Sequence, residues 1–219
     1  MNWFVSTLAS SVGKKVVMAL TGLVLSLFIL VHVVGNLFYY TGKTGFESYS
    51  AHLHGHMLLL GAVQVCLVVF AGLHVVFGAI LYVQNMMARP TGYIVKKSVI
   101  RKNVNGGQTV ASRLMPYTGF YILLFLFDHI FAFTFSGRAS AGGLYHMVYS
   151  AFHNPFYVAF YVFSVAVVGL HVSHGFWSAF QTLGANHPRY MPLIVSASML
   201  YAVIIGLALA SIPLWVYLS

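Results

Sequence analysis

Four histidines lie deep inside long apolar segments of the sequence: His32, His74, His129 and His171. An ionisable side chain at such a depth is costly in lipid and usually serves a function. A buried imidazole can ligate a metal, relay a proton or hydrogen-bond to a neighbouring helix. The other seven of the 11 histidines fall near predicted helix ends or in loops. The four buried residues are therefore the first candidates for a site.

The composition indicates an integral membrane protein. Of the 219 residues, 60% are hydrophobic and 6% are charged, whereas a soluble domain usually carries about a quarter charged residues. Several apolar runs exceed about 18 residues, the length typical of a transmembrane helix. The single cysteine, Cys66, excludes a disulfide within the chain and a cluster held by several of its thiolates.

The apolar runs predict five transmembrane helices, which must position the four histidines. The predicted ranges are 16–40, 57–87, 114–135, 155–183 and 191–215. We expect an all-α membrane protein with a single domain over residues 1–219, without an internal repeat or a separate soluble domain. The first four helices carry one of the four histidines each, and the fifth carries none.

The distribution of Lys and Arg predicts a cytoplasmic amino terminus. With that orientation nine basic residues lie inside and two outside, which is a strong positive-inside bias. The inside set is Lys14, Lys15, Arg89, Lys96, Lys97, Arg101, Lys102, Arg113 and Arg189, and the outside set is Lys43 and Arg138. The formal net charge of +9 is thus explained by topology, and nucleic acid is not an expected partner.

This orientation pairs the four histidines by depth. Helices one and three run outward, which places His32 and His129 roughly 10 Å below the outer boundary at about 1.5 Å rise per residue. Helices two and four run inward, which places His74 and His171 together at a second, inner level. Two bis-histidine haems would need this arrangement, because a six-coordinate haem iron takes one imidazole from each face.

Small residues one turn after the histidines would let a macrocycle pack close to the backbone; they are Gly35, Gly78, Ala132 and Gly175. Two other interpretations stay open on the residues alone. Each histidine could be a hydrogen-bond partner between helices, or the four could serve a metal transporter. A transporter would favour ligands at one level beside carboxylates, and Asp128 is the only acid inside a predicted span.

Three segments carry a resemblance to a known family: "SSVGKKVVMALTGLVLSLFILVHVVGNL", "GLHVVFGAILY" and "GLHVSHGFWSAFQTLG". With them, the chain resembles the di-haem cytochrome b membrane anchor (b558 type) of succinate dehydrogenase and fumarate reductase complexes. The likeness extends over nearly the whole chain and includes the five-helix layout. It implies a haem-binding bundle in a bacterial cytoplasmic (inner) membrane.

The resemblance implies that His32 and His129 ligate an outer haem b, and His74 and His171 an inner haem b. His174, one turn further along, would contact a haem propionate or quinone, or would be an interfacial polar residue. The chain lacks a CxxCH motif, which makes the expected haem non-covalent.

The resemblance also implies partners. The chain would anchor an FAD-containing flavoprotein subunit and an iron–sulfur subunit, and would carry electrons between menaquinone or menaquinol and the iron–sulfur subunit. The dicarboxylate chemistry would belong to those partners. The alternatives are a di-haem anchor of a hydrogenase or formate dehydrogenase, and a metal transporter with "HLHGH" (His52 to His56) as an external capture site.

Glu47 is the candidate proton acceptor of a quinol site. It lies in the predicted outer loop "TGKTGFESYSAHLHGH", at a place where menaquinol-oxidising members of the resembled family carry a glutamate. Quinol oxidation releases two protons, which requires a base near the hydroxyl groups. The competing interpretation is a solvated acid paired with Lys43. His52, His54 and His56 are weaker relay candidates, because alternating residues cannot all share one helical face.

Overall fold

The computed structural model describes residues 3–88, 110–136 and 143–219. These residues are helical apart from short turns and contain no strand. Five of their helices are long and apolar enough to cross a membrane, so the expected all-α, multi-pass membrane architecture is confirmed. The cytoplasmic position of the amino terminus stays a prediction. Six of the basic residues on which it rests lie outside the described ranges: Arg89, Lys96, Lys97, Arg101, Lys102 and Arg138.

Eight α-helices and two short irregular helices follow one another along the described chain. The five spanning helices are α2 (Ser11–Leu37), α4 (Met57–Met87), α5 (Val110–Ile130), α7 (Pro155–Thr182) and α8 (Met191–Leu218). The shorter elements are α1 (Trp3–Ala9), a 3₁₀ helix (Phe38–Thr41), α3 (Gly42–Gly55), a π-helical segment (Phe131–Ser136) and α6 (Gly143–Phe152).

Capping residues explain two of the helix starts. The Ser10 side chain accepts the N–H of Gly13 at 3.0 Å, so α2 begins five residues before the predicted Val16. Asn154 caps α7 in the same way, and Pro155 occupies the first turn, where its missing N–H is not needed.

The predicted outer loop between the first two spans is helical instead, and this prediction was wrong. Gly42 has φ +80°, a conformation that favours glycine, and it turns the chain from the 3₁₀ helix into α3. Phe46 is buried on α3 and packs against Tyr39 in an aromatic core. Tertiary packing therefore makes a helix of a segment whose Gly, Ser and Thr content is typical of a loop.

Four of the spanning helices form the sides of a bundle. Helix α2 packs against α4 and α7, and α5 packs mainly against α7, so α2 and α5 lie at opposite corners, as do α4 and α7. Helix α8 packs along α7 and touches α2 from outside this group. The short helices α3 and α6 contact each other near the end of the bundle where α2 ends and α7 begins. We call this the α3–α6 end.

Candidate functional site

The first histidine pair joins opposite corners of the bundle near the α3–α6 end. His32 of α2 and His129 of α5 have ring centroids 5.7 Å apart, with ring planes at 84°. Both residues lie within the last two turns of their helices. We call His32 and His129 the outer pair, after their predicted depth.

The second pair joins the other two corners at a different level. His74 of α4 and His171 of α7 have ring centroids 6.4 Å apart, with ring planes at 69°. We call them the inner pair. The structure thus brings together the same two pairs that the depth argument predicts, and it takes each pair from two helices that face each other across the bundle.

Hydrogen bonding fixes the tautomer of His74. Its Nδ1 lies 3.1 Å from the carbonyl oxygen of Met18 and 3.4 Å from the hydroxyl of Thr21. A carbonyl oxygen only accepts, so Nδ1 must carry the hydrogen. The lone pair of His74 is therefore on Nε2.

His171 has the same tautomer for a related reason. Its Nδ1 lies 3.0 Å from the hydroxyl oxygen of Thr118. That hydroxyl donates its own hydrogen to a carbonyl of α5, either Leu114 at 3.0 Å or Met115 at 3.1 Å. The Thr118 oxygen thus accepts from the Nδ1–H of His171, and Nε2 keeps its lone pair.

A glycine follows each of these threonines and lies against the imidazole that the threonine holds. A Cβ at Gly22 would lie 3.0 Å from Cε1 of His74, and a Cβ at Gly119 would lie 3.4 Å from Cε1 of His171. The backbone of one helix therefore packs directly against the ring edge of another. Each inner imidazole is held by a Thr–Gly pair from a neighbouring helix.

The outer pair is held differently. Nδ1 of His129 lies 3.3 Å from the hydroxyl of Tyr161, which lies 3.5 Å from Oδ2 of Asp128. Tyr157 donates to the same carboxylate oxygen at 2.9 Å. We call Asp128, Tyr157 and Tyr161 the Asp128 network. Although adjacent helical residues point about 100° apart, Tyr161 connects Asp128 to the ring of His129.

The spacing of each pair fits two imidazoles bound to one metal ion, where the ion takes its other ligands from elsewhere. Imidazoles on opposite sides of a metal, each bonded at about 2 Å, place their ring centroids about 6 Å apart. Among residues 3–88, 110–136 and 143–219, no group of three or more His, Cys, Asp or Glu side chains could hold a metal ion. A planar macrocycle supplies four nitrogens and needs two more ligands, which is what each pair offers.

The ring nitrogen that would not bind the metal also fits a metal-ligating role. Metal-ligating histidines almost always donate their other N–H to a carbonyl, carboxylate or similar acceptor. His74 and His171 do so to Met18 and Thr118, as described above. His129 reaches an acceptor that leads to a carboxylate. Three of the four imidazoles are thus oriented by a partner on Nδ1.

A constant offset in sequence relates the two halves of the site. His129 follows His32 by 97 positions, and His171 follows His74 by 97 positions. The same offset joins further identical pairs on the four helices that carry the histidines: Met18 and Met115, Thr21 and Thr118, Gly22 and Gly119, Phe28 and Phe125, Gly72 and Gly169, Gly78 and Gly175. The expectation that the chain has no internal repeat was therefore wrong.

The repeat extends to contacts. Each threonine meets its histidine across 53 positions of sequence. Phe28 lies 5.4 Å from His32 at 32°, and Phe125 lies 5.8 Å from His129 at 35°. The hairpin of α5 and α7 thus reproduces the ring environment that α2 and α4 create.

His174 stands where its repeat counterpart has Phe77, and so it adds a polar ring to the bundle. Its Nδ1 is buried and has no hydrogen-bond partner among the described residues. Its ring meets the buried Trp177 edge-on at 4.8 Å. A buried donor or acceptor without a partner is costly, so this atom is available to a ligand.

Glu47 does not lie in a solvated loop. It is half-buried on α3, and its Oε1 accepts the backbone N–H of Tyr145 at 2.7 Å, in the first turn of α6. Gly143, with φ +80°, lets the carboxylate approach, because a Cβ there would collide with it. The competing interpretation paired Glu47 with Lys43, but in the structure its carboxylate bonds to the backbone of α6. Glu47 thus caps one short helix from another.

An open cleft of about 420 Å³ lies at the end of α2, between the 3₁₀ helix and α3. It is lined by Phe38, Thr41, Gly45, Ser48, Tyr49 and His52. Phe38 and Tyr49 stack at 4.5 Å, and the Tyr49 hydroxyl lies against Gly35, one turn beyond His32. Tyr49 therefore connects the cleft to the turn of α2 that follows His32.

The three alternating histidines do not all lie on one face of α3, as the sequence predicts. The rings of His52 and His56 lie 5.3 Å apart, one turn of α3 from each other. His54 instead points to the carbonyl of Ser50, 2.8 Å from its Nδ1. Of the three, only His52 lines the cleft.

Comparison of the chain with protein-family models, with curated proteins and with solved structures found no match.

Proposed function

We propose that this chain is a membrane electron-transfer subunit that binds two b-type haems between α2, α4, α5 and α7. The observation that carries the proposal is the presence of two cross-bundle imidazole pairs, 5.7 Å and 6.4 Å between centroids. The inner pair has both Nε2 lone pairs free, because Nδ1 is the donor in each ring. When bound, the haems would supply one-electron transfer at two depths of the membrane.

The sequence resemblance supports the wider assignment. We propose that the chain anchors the flavoprotein and iron–sulfur subunits of a succinate dehydrogenase or fumarate reductase in a bacterial inner membrane. Its own residues would bind the haems and a menaquinone, while the dicarboxylate chemistry would take place on the partners. His174 would receive a haem propionate or a quinone oxygen, since its Nδ1 is buried and otherwise unused by the described residues.

We propose the cleft at the end of α2 as the quinol site, and this changes the role of Glu47. The stacked rings of Phe38 and Tyr49 offer an apolar wall for a quinone ring, and Thr41, Ser48 and His52 offer polar groups. The Glu47 carboxylate is engaged by the backbone of α6, which makes it a positioning residue in this arrangement. His52 then takes the place of proton acceptor, because a neutral imidazole can accept a quinol proton.

The test is to purify the chain with its natural partners and measure absorption spectra and the haem to protein ratio. We expect the spectra of low-spin b-type haem and two haems per chain. A protein without haem would contradict the proposal, and zinc in its place would favour a transporter. Identification of the copurifying subunits separates a dicarboxylate enzyme from a hydrogenase or formate dehydrogenase.

A further inference from the structure

We propose that Asp128, acting through Tyr161, tunes the imidazole of His129 and so lowers the reduction potential of the outer haem. The inference rests on the proposed function, since it concerns a haem held by the outer pair. It assigns a role to the only acid inside the spanning helices, a role that ligand assignment alone does not require. Asp128 is here a positioning residue, because it reaches the site through another side chain.

The direction of each hydrogen bond follows from what the groups can do. A carboxylate is an acceptor, and Tyr157 donates to its Oδ2 at 2.9 Å. The Tyr157 hydroxyl also lies 3.3 Å from that of Tyr161, but its single hydrogen goes to the nearer carboxylate oxygen. Tyr161 donates its hydroxyl hydrogen to the same oxygen at 3.5 Å. The Tyr161 oxygen is then left to accept from the Nδ1–H of His129, 3.3 Å away. The chain of donors runs from the imidazole to the carboxylate, and Nε2 of His129 keeps its lone pair.

The surroundings strengthen this effect. Tyr161 is 5% exposed, and the rings of Phe125, Phe133 and Phe152 all contact it at 5.0–5.8 Å between centroids. Charges act more strongly in such a low-dielectric environment than in water. An imidazole whose N–H is polarised by a carboxylate is a more basic ligand, and it favours the oxidised metal.

The internal repeat shows that the network belongs to one site only. The residues 97 positions before Asp128, Tyr157 and Tyr161 are Val31, Leu60 and Gln64. Val31 cannot supply a carboxylate, and Gln64 is exposed on the surface of α4. The inner imidazoles are held by neutral acceptors, the Met18 carbonyl and two threonine hydroxyls. The carboxylate therefore distinguishes the outer site from the inner one.

The experiment is a redox titration of the purified complex, with the two midpoints assigned by ligand variants. We expect Tyr161→Phe and Asp128→Asn each to raise the outer midpoint and to leave the inner midpoint unchanged. Removing a group that orients a metal ligand alters metal affinity or activity by about 10–100-fold. A tenfold change in the relative affinity for the two oxidation states corresponds to about 59 mV for one electron.

Two controls isolate the pathway. The double variant should shift the outer midpoint by less than the sum of the two single shifts, because part of the effect of Asp128 passes through the Tyr161 hydroxyl and the rest acts as a charge through space. Shifts that add fully would overturn the pathway through Tyr161. Tyr157→Phe removes one donor to Asp128 but leaves the link to His129, so its shift should be smaller. Asp128→Glu keeps a carboxylate at this position, so its outer midpoint should lie between those of the wild type and Asp128→Asn.

Each contrary result has a defined meaning. Two retained haems with unchanged midpoints in Tyr161→Phe and Asp128→Asn would overturn the inference and leave the proposed function intact. Loss of the outer haem in both variants would make the network a requirement for haem binding, which also overturns the tuning role. A wild-type chain without haem would instead refute the proposed function itself.

Discussion

The inner and outer histidine pairs arise from the same repeated hairpin but are supported in different ways. At the inner pair both imidazoles meet a threonine and a glycine of a neighbouring helix. At the outer pair one imidazole, His129, meets Tyr161 and through it a carboxylate. The difference teaches that the repeat determines where the rings lie, whereas residues that depart from the repeat make one site chemically distinct from the other.

The repeat also explains why the pairs cross the bundle. Helices α2 and α5 are repeat counterparts, as are α4 and α7, and counterparts lie at opposite corners. Each pair therefore joins a residue to its own counterpart, His32 to His129 and His74 to His171. When two copies of one hairpin pack against each other in this way, the repeat alone is enough to form two such pairs.

The largest expected effect comes from removing a ligand. Replacing His74 or His171 by Ala should remove the inner haem and keep the outer one, and replacing His32 or His129 should do the reverse. In the proposed sites each iron would lose one of its two protein ligands, whereas the other pair lies on the other two helices of the bundle. Haem content and low-temperature absorption spectra measure the outcome. His146→Ala is the matched control, because His146 lies on α6 outside both pairs. Loss of both haems from every variant would show one coupled site in place of two.

The next effect should appear only at the α3–α6 end. His52→Ala removes the proposed proton acceptor of the cleft and should reduce quinol oxidation by about 10²-fold or more, the usual contribution of a general base. Both haems should remain, and dye-linked activity of the partner subunits should persist.

Glu47→Gln sharpens this result, because it separates a catalytic from a capping role. The amide oxygen of Gln can still accept the Tyr145 N–H, so a capping role predicts near-normal quinol turnover. If Glu47→Gln abolishes turnover while His52→Ala does not, Glu47 is the proton acceptor, as the sequence suggested. His54→Ala is the control, since His54 points to the Ser50 carbonyl and does not line the cleft.

A smaller difference should separate the two threonines of the inner pair. Thr118 is the recorded acceptor for Nδ1 of His171, whereas His74 also has the Met18 carbonyl at 3.1 Å. Thr118→Val should therefore weaken inner haem binding by about tenfold, the lower end of the range for losing a group that orients a metal ligand, and Thr21→Val should weaken it less. Haem retention during detergent dilution measures the difference. Equal loss in both variants would mean that Met18 contributes nothing to the support of His74.

The spans and the histidine pairs could be predicted because both depend on local patterns. Helix α4 begins and ends at the predicted residues, Met57 and Met87, since its apolar run has clear limits. Pairing the histidines by depth required only the number of residues between each histidine and its helix end, and the orientation of the chain. The pattern of Gly, Ser and Thr in residues 42–55 misled, because packing against Tyr39 and α6 overrides local preference there.

Contacts between distant segments could not be predicted in this way. The Glu47 carboxylate accepts from a backbone N–H 98 positions later, and no local pattern marks that donor. The Tyr161 hydroxyl reaches His129 from another helix, and its neighbours in sequence are ordinary apolar residues. The repeat was visible in the sequence, as Thr21–Gly22 and Thr118–Gly119 demonstrate, but identities are sparse between them and the connecting segments differ.

The smallest expected effect compares the two glycines that touch the inner imidazoles. A Cβ at position 22 would lie 3.0 Å from Cε1 and 3.4 Å from Nδ1 of His74, whereas a Cβ at position 119 would lie 3.4 Å from Cε1 of His171. Carbon atoms in contact prefer about 3.5–4.0 Å, so Gly22→Ala requires the ring of His74 to shift and Gly119→Ala hardly disturbs His171. The shift would lengthen the bond to the Met18 carbonyl and turn Nε2 away from its partner.

We expect Gly22→Ala to weaken the inner haem modestly and Gly119→Ala to have little effect, as measured by haem content and the inner midpoint. Gly61→Ala on α4, where nothing lies within 4 Å of the added carbon, controls for the general effect of alanine in a helix. A larger loss in Gly119→Ala than in Gly22→Ala would contradict the geometry, and it would mean that the half-site of α5 and α7 is the more rigid of the two.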